Sequence, residues 1–332
     1  MAILEIIMKR KIFTAFTAIL ILCVFSSFFW GFYAHQQINR LAVYTLPEEM
    51  MGFYKNNIDY ITENAVNPDK RRYAVEGEAP RHYIDLDIYP KEVQEDLAKL
   101  SWSKAVEKYT EDTLMAYGIV PWQVVRMKYQ LTDAFAKKDL KNILRLSADA
   151  GHYIADAHVP LHTTENYNGQ LTNQIGIHGF WESRLPELFS NDYSFWIGQA
   201  TYINNIHESI WDVVLSSHTA LDSVFSFERE LTLKMGEDKK YSVGERNGQT
   251  IREYSKDFSR KYHKMLNGQV ETRMRSSVKM VGNFWYTCWV DAGQPDLDDL
   301  GVFDFESSEE EVTLKKAWLR QILKVRKEAD DN

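Results

Sequence analysis

Along most of the chain, apolar residues recur at intervals of three and four, the spacing that lines one face of an α-helix. The clearest stretch is Leu140–His158, where Leu140, Ile143, Leu144, Ala150, Ile154 and Ala157 form a single stripe. Its end is predicted at Val159-Pro160, because proline lacks the N–H and clashes with the preceding turn. Val93–Tyr117 and Trp122–Lys138 carry the same period, separated by Gly118 and Pro121. Near the amino terminus, Ile38, Leu41, Ala42 and Leu46 predict an amphipathic helix that starts near His35. Further on, Thr201–Glu230 reads as one long helix and Tyr254–Val290 as one or two. Between them Lys234–Thr250 is polar and holds Gly236, Gly244 and Gly248, so a loop linking helices is expected there. The period-two alternation of a half-buried strand is nearly absent. The pattern predicts an all-α fold, with one multi-helix domain over residues 30–305.

Composition changes this picture little. The chain has 332 residues, 45% hydrophobic and 13% aromatic, enough for a sizeable core. A net charge of −8 offers no basic surface for nucleic acid, although bound metal ions can supply local positive charge. At the amino terminus, Met8-Lys9-Arg10-Lys11 precedes an apolar run from Ile12 to Phe29. A basic head before a short apolar segment reads as an export signal over residues 1–29, with Met8 as the better start. An uncleaved anchor is the alternative. The chain is therefore expected outside the cytoplasm, in a bacterial periplasm or the medium. Leu-Ile-Leu ahead of Cys23 is too bulky for a lipoprotein cut, and the remaining Cys288 has no partner for an internal disulfide. Packing and metal would then have to hold the fold. At the other end, residues 306–332 read as an acidic linker and a basic-faced helix.

Candidate chemistry is concentrated between Gly151 and Arg184, which contains His152, Asp156, His162, His178 and Glu182. His152 and Asp156 are four apart, and so are His178 and Glu182, which places each pair on one helical face a turn apart. His162 follows the helix-ending proline and is free to turn back toward the second pair. Imidazoles and carboxylates so grouped are the ligand set that zinc takes. One His-x-x-x-Asp pair alone would more often be a surface hydrogen bond, but five candidates in one short stretch make chance a poor account. His152 and Asp156 also lie almost opposite the apolar stripe of their helix, as the wall between a core and a site requires. Outside this stretch His35, Asp69, Arg72, His82, Asp85 and Asp87 are weaker, and each alone would be a cap, a turn residue or a solvated charge. Trp181 and the cluster Asn283-Phe284-Trp285-Tyr286 with Trp289 are expected in the core, and His207, His218 and His263 on polar helix faces.

The order Trp30, His35, Asp69, His82, His152-x-x-x-Asp156-x-x-x-x-x-His162, His178-x-x-x-Glu182 resembles the trinuclear-zinc superfamily of bacterial phospholipase C and the single-strand-specific nucleases of fungi and plants. The likeness covers Trp30 to about Arg184. It implies a multi-helix domain of that type around three zinc ions. Asp69, His82, His152 and Asp156 would hold one, and His162, His178 and Glu182 a second. The third would take the amine and carbonyl of Trp30, His35, and Asp156 as a bridge. A free amine on Trp30 requires cleavage after Phe29, whereas Ser26 or Ser27 suits a signal peptidase better.

The implied activity is phosphodiester hydrolysis by a metal-activated hydroxide. Asp69 would orient or deprotonate the water, and Arg72 would hold a phosphate oxygen in its fork, a surface ion pair being the alternative for Arg72. Trp30 and His35 five apart, and Asp69-x-x-Arg72, match the nucleases, whereas Glu182 as the last ligand matches the phospholipases. The expected substrate is single-stranded DNA or RNA first and phospholipid second. No stable protein partner is expected, and no membrane contact beyond an uncleaved signal or a lipid substrate. From another class, the chain would be a zinc-stabilised surface protein without catalysis.

Overall fold

A computed structural model describes residues 32–72, 74–246 and 249–303. Seven helices of ten residues or more form its frame: α1 (Phe32–Val43), α2 (Val120–Ala136), α3 (Leu140–His158), α4 (Ile206–Thr219), α5 (Leu221–Met235), α6 (Lys256–Met265) and α7 (Gln269–Asp291). One antiparallel hairpin, β1 (Tyr241–Arg246) with β2 (Gln249–Tyr254), is the only sheet among the described residues. Helix accounts for 71% and strand for 4%, so the expectation of a mostly helical chain holds.

The centre is α3, which packs against α1, α2, α4 and α7. Its sequence sets both ends. Asp139 accepts the backbone N–H of Asn142 at 3.1 Å as an N-cap, and Pro160 stops the helix after His158 as the pattern predicts. From Leu146 to His158 every residue is buried, so the helix has no free face. Its apolar stripe meets Trp285, whose indole donates to the Ser147 carbonyl at 3.1 Å and lies over Tyr54 with centroids 4.9 Å apart. The other side carries Ala148, Gly151, His152 and Ala155, and these small residues let α1 approach closely. A Cβ on Gly151 would lie 1.9 Å from Asn39 Oδ1, and Asn39 Nδ2 donates to the Ala148 carbonyl at 3.1 Å. A larger residue at position 151 fits only if the Asn39 side chain gives way.

Several expected elements are cut differently. Val93–Tyr117 is three short helices, Lys91–Leu97, Trp102–Tyr109 and Glu111–Tyr117. Leu100 ends up folded over Trp122, whose indole donates to the Leu100 carbonyl. Thr201–Glu230 is two helices with a break at Ala220, after an extended lead that lasts to Asn205. The Lys234–Thr250 loop is a correction: Lys234 and Met235 end α5, Glu237–Lys240 is one helical turn, and from Tyr241 the chain enters the hairpin, in register Tyr241↔Tyr254 and Val243↔Arg252. The residues 1–31 and 304–332, with the signal segment, Trp30 and the carboxyl-terminal linker and helix, lie outside the described residues.

Candidate metal centre

Every predicted ligand except Trp30, which lies outside the described residues, reaches one buried region between α1, α3 and two loops. His35 comes from α1, and His152 and Asp156 from α3. The close crossing at Gly151 brings the His35 and His152 rings into a stack with centroids 4.0 Å apart. Asp69 stands on the short helix Asn67–Arg71, with Pro68 in its first turn, and His82 closes the 3₁₀ turn Ala79–His82. Gly118, at φ +91°, leaves room for this loop, since a Cβ there would meet the Tyr83 carbonyl at 2.2 Å. His162 lies in the turn Pro160–Thr163 directly after α3. His178 sits on one α-helical turn, and Glu182 on the π-helical turn Phe180–Arg184 that follows. The spacing of four thus places both on one side, although the helix is locally wide.

Two imidazoles are aimed by backbone carbonyls. His152 Nδ1 donates to the Ala65 carbonyl at 2.8 Å, leaving Nε2 pointed at Asp69 (3.5 Å), Asp156 (3.3 Å) and His82 Nδ1 (3.1 Å). His162 Nδ1 donates to the His82 carbonyl at 2.6 Å, and its Nε2 faces Glu182 at 3.4 Å and Asp156 at 3.8 Å. The Ile84 N–H returns a bond to the His162 carbonyl at 2.9 Å, so the two loops hold each other. His82 Nδ1 meets Asp156 Oδ2 at 2.9 Å and Asp69 Oδ1 at 3.7 Å. His35 Nε2 lies 3.1 Å from Glu182 and 3.4 Å from Asp156, and His178 Nε2 lies 2.7 Å from Glu182.

These donors form four overlapping groups, each within 4.8 Å: His35–Asp69–His152, His82–His152–Asp156, His162–His178–Glu182 and His35–Asp156–Glu182. Each group is three side chains that could hold a metal ion, and sharing of Asp156, His152 and Glu182 makes the positions adjacent. The electrostatics agree. Burial opposes charge on Asp156 and Glu182, but the imidazoles of His152 and His162 against Asp156, and of His162, His178 and His35 against Glu182, hold both carboxyls well below the usual range. Burial also opposes charge on Asp69, yet His152, His82 and His35 bring it down to about 2. The same acids drive His152 up against its burial and raise His162 to about 9. For His82 burial prevails and lowers it. His162 Nε2 and His82 Nε2 are buried without a hydrogen-bond partner, an arrangement that costs free energy in a filled core.

Asp69 is the least buried of the acids, with 29% of its side chain exposed. Arg72 is half-buried, and its guanidinium makes no hydrogen bond or ion pair among the described residues, while its charge acts on His162. The ion-pair alternative falls to Arg71, whose fork meets Asp149 at 2.9 and 3.2 Å. Asp85 and Asp87 stay out of the donor groups. Asp87 bonds Thr164 and the Glu165 N–H. Trp181 is 2% exposed and bonds Gln269, and Phe284, Trp285 and Trp289 are buried as expected of core residues, whereas Asn283 and Tyr286 are only half-buried. His207, His218 and His263 bond Ala98, Thr163 and Tyr193, away from the centre.

One supporting residue escaped the sequence reading. Glu78 is 1% exposed and lies 4.0 Å from His82 Nε2, held by Arg71, Arg81 and the Tyr153 hydroxyl. A carboxylate behind a metal-ligating histidine is a recurrent support. The signal was present, since Glu78 and His82 are four apart like the other two pairs. No protein-family profile matches the chain, and no curated protein does.

Proposed function

We propose that the chain is a zinc-dependent phosphodiester hydrolase, acting first on single-stranded nucleic acid. The observation that carries this reading is the set of overlapping donor groups joined by Asp156 and Glu182 in one buried centre. A purely structural zinc site closes four ligands around one ion. Here adjacent positions share carboxylates, as chemistry on a phosphoryl group with two metals requires. Imidazole nitrogens with carboxylate oxygens, and no thiolate, fit zinc among the common ions. His162 Nε2, buried and without a hydrogen-bond partner, is a donor that an ion would satisfy.

The ligand assignment is the one the resemblance implies, Asp69, His82, His152 and Asp156 for one ion and His162, His178 and Glu182 for a second; in support, His82, His152 and Asp156 form one donor group and His162, His178 and Glu182 another. His35 with Asp156 serves a third, and Glu182 lies within reach of it. Zinc, when bound, supplies Lewis acidity, which brings the pKa of a water ligand toward neutrality and neutralises charge on phosphoryl oxygens. The chain does the rest. Asp69, ionised and partly exposed, stands at the mouth of the centre, where it orients the attacking water and accepts its proton. Arg72, free of ion pairs among the described residues, offers its planar fork to a phosphate oxygen. The carbonyls of Ala65 and His82 fix the tautomers of His152 and His162, so that Nε2 of each is the donor.

A phospholipase C reading has its own observation. The loop between His162 and His178 exposes Tyr167, Leu171 and Ile175, at 50%, 66% and 56%, apolar residues beside the centre that suit a lipid surface. One experiment separates the readings. Zinc-loaded protein is offered single-stranded DNA, RNA and phosphatidylcholine in parallel, with and without chelator. Chelator-sensitive nucleotide release supports the nuclease reading, and diacylglycerol release alone replaces it with the lipase. Turnover of neither substrate, with zinc still bound, leaves a non-catalytic zinc protein. In an enzyme Asp69→Asn loses turnover while keeping its fold; unchanged turnover removes Asp69 from the mechanism.

A further inference from the structure

The elements that hold Glu182 and His178 differ from those that hold the rest of the centre. Glu182 lies on the π-helical turn, and residues at both ends of that turn meet the β1–β2 hairpin. The Phe180 ring lies flat against Tyr254, with centroids 3.7 Å apart and planes 5° from parallel. Arg184 Nη2 donates to Glu253 Oε1 at 2.7 Å, both side chains being largely buried. The root of the hairpin is also fastened to the loop that enters His178. Glu228 accepts from Lys240 Nζ at 2.7 Å, from Gln174 Nε2 at 2.5 Å and from the Tyr254 hydroxyl at 3.4 Å. Lys240 immediately precedes β1, and the Gln174 carbonyl accepts the N–H of Ile177, the residue before His178. Glu228, Lys240, Gln174 and Tyr254 are all buried. Among the described residues, no hairpin side chain bonds to His82, His152 or Asp156.

We propose that the β1–β2 hairpin is a positioning element for Glu182, and that it sets the affinity of the metal positions that use Glu182. The inference rests on the metal-binding reading of the centre. A π-helical turn is rare and recurs at functional sites, and the one donor-group residue on this turn meets three imidazoles, of His35, His162 and His178. A small shift of its carboxylate therefore changes the positions built on His162, His178 and His35 together. The position of His82, His152 and Asp156 is held by α3 and by backbone carbonyls, and is unaffected.

The test is titration of the full chain with zinc alone against a competing chelator, in wild type, Arg184→Met, Arg184→Lys and Tyr254→Leu. The thermal midpoint of each metal-free protein is measured alongside. Arg184→Met and Tyr254→Leu weaken zinc about 10–100-fold at the positions that use Glu182, the range for supporting contacts, and leave at least one ion at wild-type affinity. His82→Ala in the Arg184→Met background then removes that remaining ion. Arg184→Lys, which restores a donor to Glu253, recovers much of the loss. Equal weakening of every ion, no weakening of any, or a loss that only follows the metal-free midpoint overturns the proposal. Wild-type protein that takes up no zinc overturns instead the reading on which it rests.

Discussion

The two halves of the centre are built by different means. His35, His152 and Asp156 stand on the paired helices α1 and α3, whose crossing is fixed by a glycine and a buried asparagine. His178 and Glu182 stand on a short turn and a π-helical turn, and the π-helical turn is held from outside by a hairpin through contacts such as Arg184–Glu253, 69 residues apart in sequence. In the first half, the packing that stabilises the core is the same packing that aims the ligands. In the second, stability and aim are separable, because the hairpin can loosen without opening the helical frame. A ligand on a long helix inherits its rigidity from the whole core, whereas a ligand on a turn has only what its neighbours give it.

The largest effects come from breaking the two halves separately. Asp156→Asn weakens the carboxylate shared by two donor groups, so metal content should fall at several positions and turnover should vanish. His178→Ala removes a ligand from one group only, and should spare at least one ion. Metal analysis after dialysis reads the difference; equal losses from the two variants would erase the contrast. Gly151→Ala is next. Its Cβ would sit 1.9 Å from Asn39 Oδ1, and overpacking of this kind costs about 1–3 kcal/mol. Because α1 carries His35, chemical denaturation and zinc affinity should worsen together. A loss of stability with zinc binding intact would separate aim from packing in this half too. Asp139→Ala, which removes the N-cap of α3, should cost about 1 kcal/mol in denaturant titration and leave zinc stoichiometry unchanged.

The smallest expected effect is a pH dependence at the rim. Burial, then the charges of Asp87 and Glu165, raise Asp85 to about 7, with His162 opposing. The folded, metal-free protein thus keeps a proton on Asp85 that the unfolded chain releases near its ordinary value. Stability falls as pH rises between about 4 and about 7. Asp85→Asn should flatten that slope in melting curves of metal-free protein. An identical slope in variant and wild type would place the titration elsewhere.

How much of this was legible in the sequence follows the same division. The bounds of α3 were readable because the stripe lies within the segment and the proline directly after it, and His152 and Asp156 came with them; the Asp139 cap emerged only from the structure. His35, Asp69 and His82 were each bland alone and became candidate ligands only as members of an ordered set. Their convergence depends on Gly151 and Gly118, whose roles are to leave space and carry no chemical mark. The hairpin was read as a loop because its glycine and its many charged residues obscure the alternation of Tyr241, Val243 and Glu245. What makes it a strand pair is tertiary: Tyr254 against Phe180, and Lys240 against Glu228. Arg72 was set apart from Arg71 in sequence only by its spacing from Asp69, and Arg71 is the one of the two that meets Asp149.

The tethers of His152 and His162 have a further consequence. Each ring is oriented by a peptide carbonyl, of Ala65 and of His82, and a carbonyl is present whatever residue carries it. Mutational drift can replace the side chain at position 65 and leave the tether in place. The donors of the centre are in this respect insulated from sequence change around them. Residues around the two tethers can therefore change while both imidazole nitrogens stay aimed at the centre.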